Sequence, residues 1–185
     1  GTTDSPTTGY QMKIWGDVDI THNPSIQTTE GASSWITYST SQQVKLSSGD
    51  GSKTVCLKIR DDVYNESSQA SDTIILDMTL PVVTVSNVSA TKISKVSGKD
   101  EMTFQFSSDS IFDEYKVKVV ATSGAANGTG TQIGTTNGSA NVSGSTGNYP
   151  AATPITVTIN GADLEVASGG DGAKIIKVFV KDDAG

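Results

Sequence analysis

The chain has 185 residues, 35% of them apolar and 18% charged, with 13 basic against 20 acidic side chains, enough for one long domain or two short ones. No apolar run approaches the roughly 20 residues that span a bilayer, and a formal charge of −7 without a basic cluster disfavours nucleic acid or an anionic membrane as a partner. Single copies of histidine (His22) and cysteine (Cys56) exclude an intrachain disulfide and a Cys/His zinc site.

Alternating apolar and polar residues predict strands over 10–15, 35–38, 43–46, 53–60 and 72–76 in the first part of the chain. His22 lies between two of them, in Thr21-His22-Asn23-Pro24, which reads as a turn. Cys56 lies inside the fourth, as a thiol on a strand face. The second part predicts strands over 82–86, 102–107, 114–121, 155–159 and 174–181. Residues 121–150, with seven glycines and Asn-Gly pairs at 127 and 137, predict long turns or a floppy hairpin. Gly161-Ala162-Asp163-Leu164-Glu165-Val166-Ala167 lacks the alternation and predicts a helical turn.

The chain repeats itself. Gly49-Asp50-Gly51-Ser52-Lys53-Thr54-Val55-Cys56-Leu57-Lys58-Ile59-Arg60-Asp61-Asp62 recurs as Gly170-Asp171-Gly172-Ala173-Lys174-Ile175-Ile176-Lys177-Val178-Phe179-Val180-Lys181-Asp182-Asp183. A second echo aligns Tyr10-Gln11-Met12-Lys13-Ile14-Trp15 with Tyr115-Lys116-Val117-Lys118-Val119-Val120. Period two places Lys53, Val55, Leu57 and Ile59 on one face, matched by Ile176, Val178 and Val180 turned inward in the second copy. Each Gly-Asp-Gly is expected to be a tight turn at positive φ before a strand; no helix follows it, which excludes a phosphate-binding loop. The copies meet at Leu76-Asp77-Met78-Thr79-Leu80-Pro81, where the proline marks a strand start or an edge and the short join leaves little slack, so a semi-rigid rod is expected.

These residues carry a family likeness. Gly-Asp-Gly-x-Lys, a strand ending in Lys/Arg-Asp-Asp, a turn with Asn65 and Ser67, and then Ser71-Asp72-Thr73-Ile74-Ile75-Leu76-Asp77 with a Thr-x-Pro join, resemble the tandem immunoglobulin-like repeats of bacterial surface proteins and of phage tail and virion proteins. The resemblance implies an all-β chain of two tandem immunoglobulin-like β-sandwiches, over 1–78 and 79–185. It implies a non-catalytic spacer, adhesion or host-contact role on a virion or a bacterial cell surface. In that frame the first copy begins at the third strand with Tyr10, and the second stops before its last strand. A window of a longer array is therefore expected, with completion by a strand from another subunit as the rival. The Cys-Trp-Cys core of antibody-type domains is missing.

Chemistry is sparse. Asp17 and Asp19, Asp61 and Asp62 (near Asn65 and Glu66), and Asp182 and Asp183 could supply oxygen ligands to calcium, which takes six to eight. They do not follow the EF-hand pattern, and Asp and Asn also dominate turns, the reading preferred here. Beyond that possible calcium no cofactor is implied. Asp113 with Glu114 and Asp163 with Glu165 could serve as a glycosidase pair, but solvated surface charge is the default. Asn-x-Ser/Thr triplets at 65, 87, 127, 137 and 141 follow from composition. Among the aromatics, Trp15, Trp35 and Tyr38 could form a stacking platform for a sugar, and core packing is the expected fate of both tryptophans. The expected partners are protein neighbours in a larger assembly or a host-surface glycan.

Overall fold

A computed structural model describes residues 9–185. Among them the chain is all-β with one short helix, and it divides into two compact units, Gly1–Thr79 and Leu80–Gly185. No helix of the described residues is long and apolar enough to cross a membrane.

The first unit holds one antiparallel sheet, formed by β1 (Gln11–Gly16), β2 (Ile36–Thr37), β3 (Gly51–Arg60) and β4 (Ala70–Leu76) in the order β2-β1-β3-β4. Met12 faces Ile59 and Ile14 faces Leu57, so the apolar positions of the two central strands fall on one face. The core beneath them gathers Met12, Ile14, Val18 and Ile26, with Ile36, Tyr38, Val44, Val55, Leu57 and Ile59 packed against it. Several of these come from loops. Residues 43–46, expected as a strand, form only an isolated bridge between Val18 and Leu46, because Val44 meets its apolar neighbours without a ladder.

The second unit is β-sandwich-like. One sheet runs β10-β6-β5, from β5 (Val83–Ser86), β6 (Glu101–Ser108) and β10 (Ile155–Asn160). The other has β7 (Glu114–Val120) at its centre, with β11 (Ile175–Lys181) on one side and the short β8 (Thr131–Gln132) and β9 (Ser143–Gly144) on the other. Side chains of both sheets share one core: Phe104 and Phe106, Val157 and Ile159 from the first, Tyr115, Val117, Val119 and Val178 from the second. Phe106, Phe112, Tyr115 and Tyr149 form an aromatic cluster with centroids 5.0 to 6.3 Å apart.

Residues 121–150 depart from the floppy hairpin that their glycines suggest. Ile133 and Val142 are fully buried in the core, and the Ile133 amide bonds to the Val117 carbonyl. Two apolar anchors thus tie down a segment whose composition is otherwise that of a loop. The helical turn is α1 (Gly161–Ala167), capped by the Asn160 side chain, which accepts from the Ala162 amide at 2.9 Å. At its first position only a glycine fits, since a Cβ would lie 2.1 Å from the Ser94 carbonyl oxygen.

The duplicated block is duplicated in its bonds. β3 pairs with β1, and β11, its counterpart, pairs with β7, so the two echoes meet each other in both units. Gly49 and Gly51 have φ of 86° and 119°, and Gly170 and Gly172 have 77° and 123°. The Lys53 ammonium donates to the Ser48 carbonyl at 3.2 Å, and the matching Lys174 donates to the matching Gly169 carbonyl at 3.0 Å. Asp61 accepts from the Val63 amide at 3.0 Å, and the matching Asp182 accepts from the Ala184 amide at 3.1 Å. One difference stands out: Val117, the counterpart of Met12, faces Val178 rather than the Val180 that the alignment demands. The ladder has slid by two positions, which leaves every side chain on its original face.

Candidate functional site: an aromatic and cationic platform

The register of β1 and β3 sets Gln11 beside Arg60 and Lys13 beside Lys58, so these four polar side chains share the face opposite Met12 and Leu57. Onto that face comes Trp35, just before β2. The Arg60 guanidinium lies 4.4 Å from the Trp35 ring centre, and the Lys13 ammonium lies 5.0 Å from it. Arg60 is also 4.7 Å from the ring of Tyr64, so the cation bridges two aromatic faces. Its Nε donates to Gln11 Oε1 at 2.7 Å, which fixes the guanidinium plane.

Tyr64 is reached through a turn. Asp61 accepts from the amides of Val63 and Asn65 and from the Asn65 side chain, and the Tyr64 amide donates to the Asp61 carbonyl. Tyr64 sits at φ 67°, a left-handed conformation unusual for an aromatic residue, and its side chain is 68% exposed. Beside the platform, Lys58 pairs with Glu30 at 2.6 Å and with Glu66 at 3.8 Å. The Glu30 hydrogen bond holds the Lys58 ammonium above the usual lysine range. The arrangement offers a half-buried indole, an exposed phenol and a fixed cation. Chemically it can stack a flat or ring-shaped group and pair with an anion.

The structure separates the aromatics named from sequence. Trp35 is half-buried and belongs to the platform. Trp15 is 8% exposed, and Tyr38 packs against the core of the first unit, so neither presents a ring face to a ligand there. Sequence reasoning passes over Tyr64. The signal was present in its position four residues after Arg60, across a turn built on Asp61, but only a folded turn brings the ring back over the guanidinium.

The aspartates named as possible calcium ligands serve local bonds. Asp17 accepts from the Thr54 amide at 2.8 Å. Asp19 accepts from the Thr21 amide and hydroxyl and pairs with Lys45 at 2.7 Å, and the Lys45 bond chiefly holds its carboxyl well below the usual carboxylate range. Asp61 and Asp182 close the turns described above; Asp62 and Asp183 are exposed beside them. Among the described residues no three of His, Cys, Asp and Glu come together as a metal-ligand set. His22 is exposed in its turn, and the Cys56 thiol accepts from the Gln69 side chain at 3.4 Å.

Asp163 corrects the surface-charge expectation. It is 2% exposed and accepts from the Asn137 amide, the Asn137 side chain and the Ser139 amide. Burial raises its pKa, but the hydrogen bonds from Ser139 and Asn137 outweigh that and leave it lowered. Glu165, the proposed second acid, is instead paired with Lys95 at 2.7 Å on the exposed side of α1. Asp163 is the bolt between the helix and the 135–139 loop.

No family model, curated protein or solved structure matches the chain.

Proposed function

We propose that the chain is a non-catalytic structural or adhesion module of a phage virion or bacterial surface protein, built from two immunoglobulin-like units and acting as a spacer or host-contact domain. The observation that carries this reading is the duplicated block, retained down to the Lys53 and Lys174 carbonyl bonds and the Asp61 and Asp182 turns. Repetition at that level conserves shape rather than a reactive group. The carboxylates that could do chemistry are engaged in turns, caps and ion pairs, which fits a framework better than an acid-base site. Antibodies raised against residues 80–185 test it: they should label intact particles or unpermeabilised cells of the source, and labelling confined to lysed material would refute a surface role.

A second reading, a carbohydrate-binding module, is favoured by one observation, the half-buried Trp35 held against Arg60 beside exposed Tyr64. The fixed guanidinium suits an acidic sugar. Glycan-array binding lost in Trp35→Ala and kept in Trp15→Phe would support it over the first reading.

A further inference from the structure

In the second unit β5 ends one sheet and β11 ends the other, and an apolar groove of about 130 Å³ opens between these two edges. Val85, Val88, Met102, Phe104, Ile176 and Val178 line it. Val85 and Val88 are more than half exposed, an unusual placement for valines that border a core residue as buried as Phe104. Among the described strands β11 pairs only with β7, so its other edge presents unpaired backbone groups along the groove.

The first unit shows what such an edge takes. β3, the counterpart of β11, carries β4 on the equivalent side, antiparallel, with Ala70 opposite Leu57, Asp72 opposite Val55 and Ile74 opposite Lys53. We infer that the β5/β11 groove accepts an extended strand from another protein, which adds antiparallel to β11 as β4 adds to β3. The repeat fixes its register and chemistry. The residues in the places of Ala70 and Asp72 would face Val178 and Ile176 and enter the groove, so both must be apolar. β4 of a second copy is unsuited, because it would set the Asp72 carboxylate against Ile176. On the outer face the residue in the place of Ser71 meets Lys177, and Lys174 and Lys181 flank the strand, so an acidic outer face is complementary.

The probe is a synthetic peptide of residues 69–77 carrying Ser71→Glu and Asp72→Val, titrated into the isotope-labelled full chain. Amide resonances of Ile175–Lys181 and of the groove residues should shift, and the unsubstituted 69–77 peptide should bind roughly tenfold more weakly or worse. Further peptides with Thr73→Pro and Ile74→Pro are the backbone test: adjacent residues point their amides to opposite sides, so one of the two removes a ladder donor and must lose binding. Val85→Asp, at an exposed position, should weaken binding while leaving the spectrum folded. The inference is overturned by unshifted β11 resonances at millimolar peptide, by shifts at Gly51–Arg60 instead, or by equal affinity of both proline peptides. It is overturned too by sedimentation showing that the chain already occupies the groove by self-association.

Discussion

Arg60 holds the ring of Trp35 from 4.4 Å while donating its Nε proton to Gln11, so the indole of the first unit is clamped against a cation rather than sunk in the core. Trp15, two turns of the chain's logic away on β1, is 8% exposed. The two tryptophans should therefore answer a neutral quencher differently. In Trp15→Phe the remaining Trp35 emission should be readily quenched by acrylamide, and in Trp35→Phe the remaining Trp15 emission should be shielded. Equal quenching constants would contradict the placement of both rings.

Replacing Arg60 by Met keeps the stem and removes the charge. The contact with two aromatic faces should cost about 1 kcal/mol, read as a lower urea midpoint of the first unit with an unchanged slope. Salt should matter little to the difference, because the attraction to the ring quadrupoles acts at short range.

Asp163→Ala should destabilise the second unit by about 3 kcal/mol, since it leaves the Asn137 and Ser139 amides without their charged acceptor at a buried site. The same carboxylate gives a pH dependence with a definite sign. Its folded-state pKa is lowered, so the folded form releases the proton more readily than the unfolded chain. The contribution is therefore complete above the ordinary carboxylate pKa of about 4 and is lost as pH falls through the folded value. Thermal unfolding followed from pH 6 to pH 2 should show the second unit losing stability at the acid end, and Asp163→Asn should flatten that slope.

Gly161→Ala should cost about 2 kcal/mol, because the new methyl would meet the Ser94 carbonyl oxygen and the loop has to give. Ala is the better helix former, so propensity alone predicts the opposite sign. Calorimetry on the single variant decides between them.

How much of this was legible follows from where each signal lives. β1, β3, β7 and β11 were legible because period two survives in six or more residues, and the repeat doubled the evidence. The Gly-Asp-Gly turns were legible because positive φ narrows the choice of residue. β8 and β9 were not: two-residue strands in a Gly/Ser-rich segment have no period, and only the packing of Ile133 and Val142 creates them. Asp163 was misjudged as surface charge because its partners at 137 and 139 lie far back along the chain, where spacing carries no information about proximity. The platform fell between these cases: Trp35 could be named, but its neighbours depended on the β1/β3 register and on a turn conformation at Tyr64.

The two-position slide between β1/β3 and β7/β11 bears on how such a module can change over time. Insertions ahead of β11 that come in even numbers can be absorbed by shifting one strand along the other, with Val178 still pointing to the interior. An odd insertion would turn Lys177 and Phe179 inward and Val178 out, unless a bulge swallowed the extra residue. Lineages of this block should therefore differ by pairs of residues at this junction, and parity there would be a heritable trait.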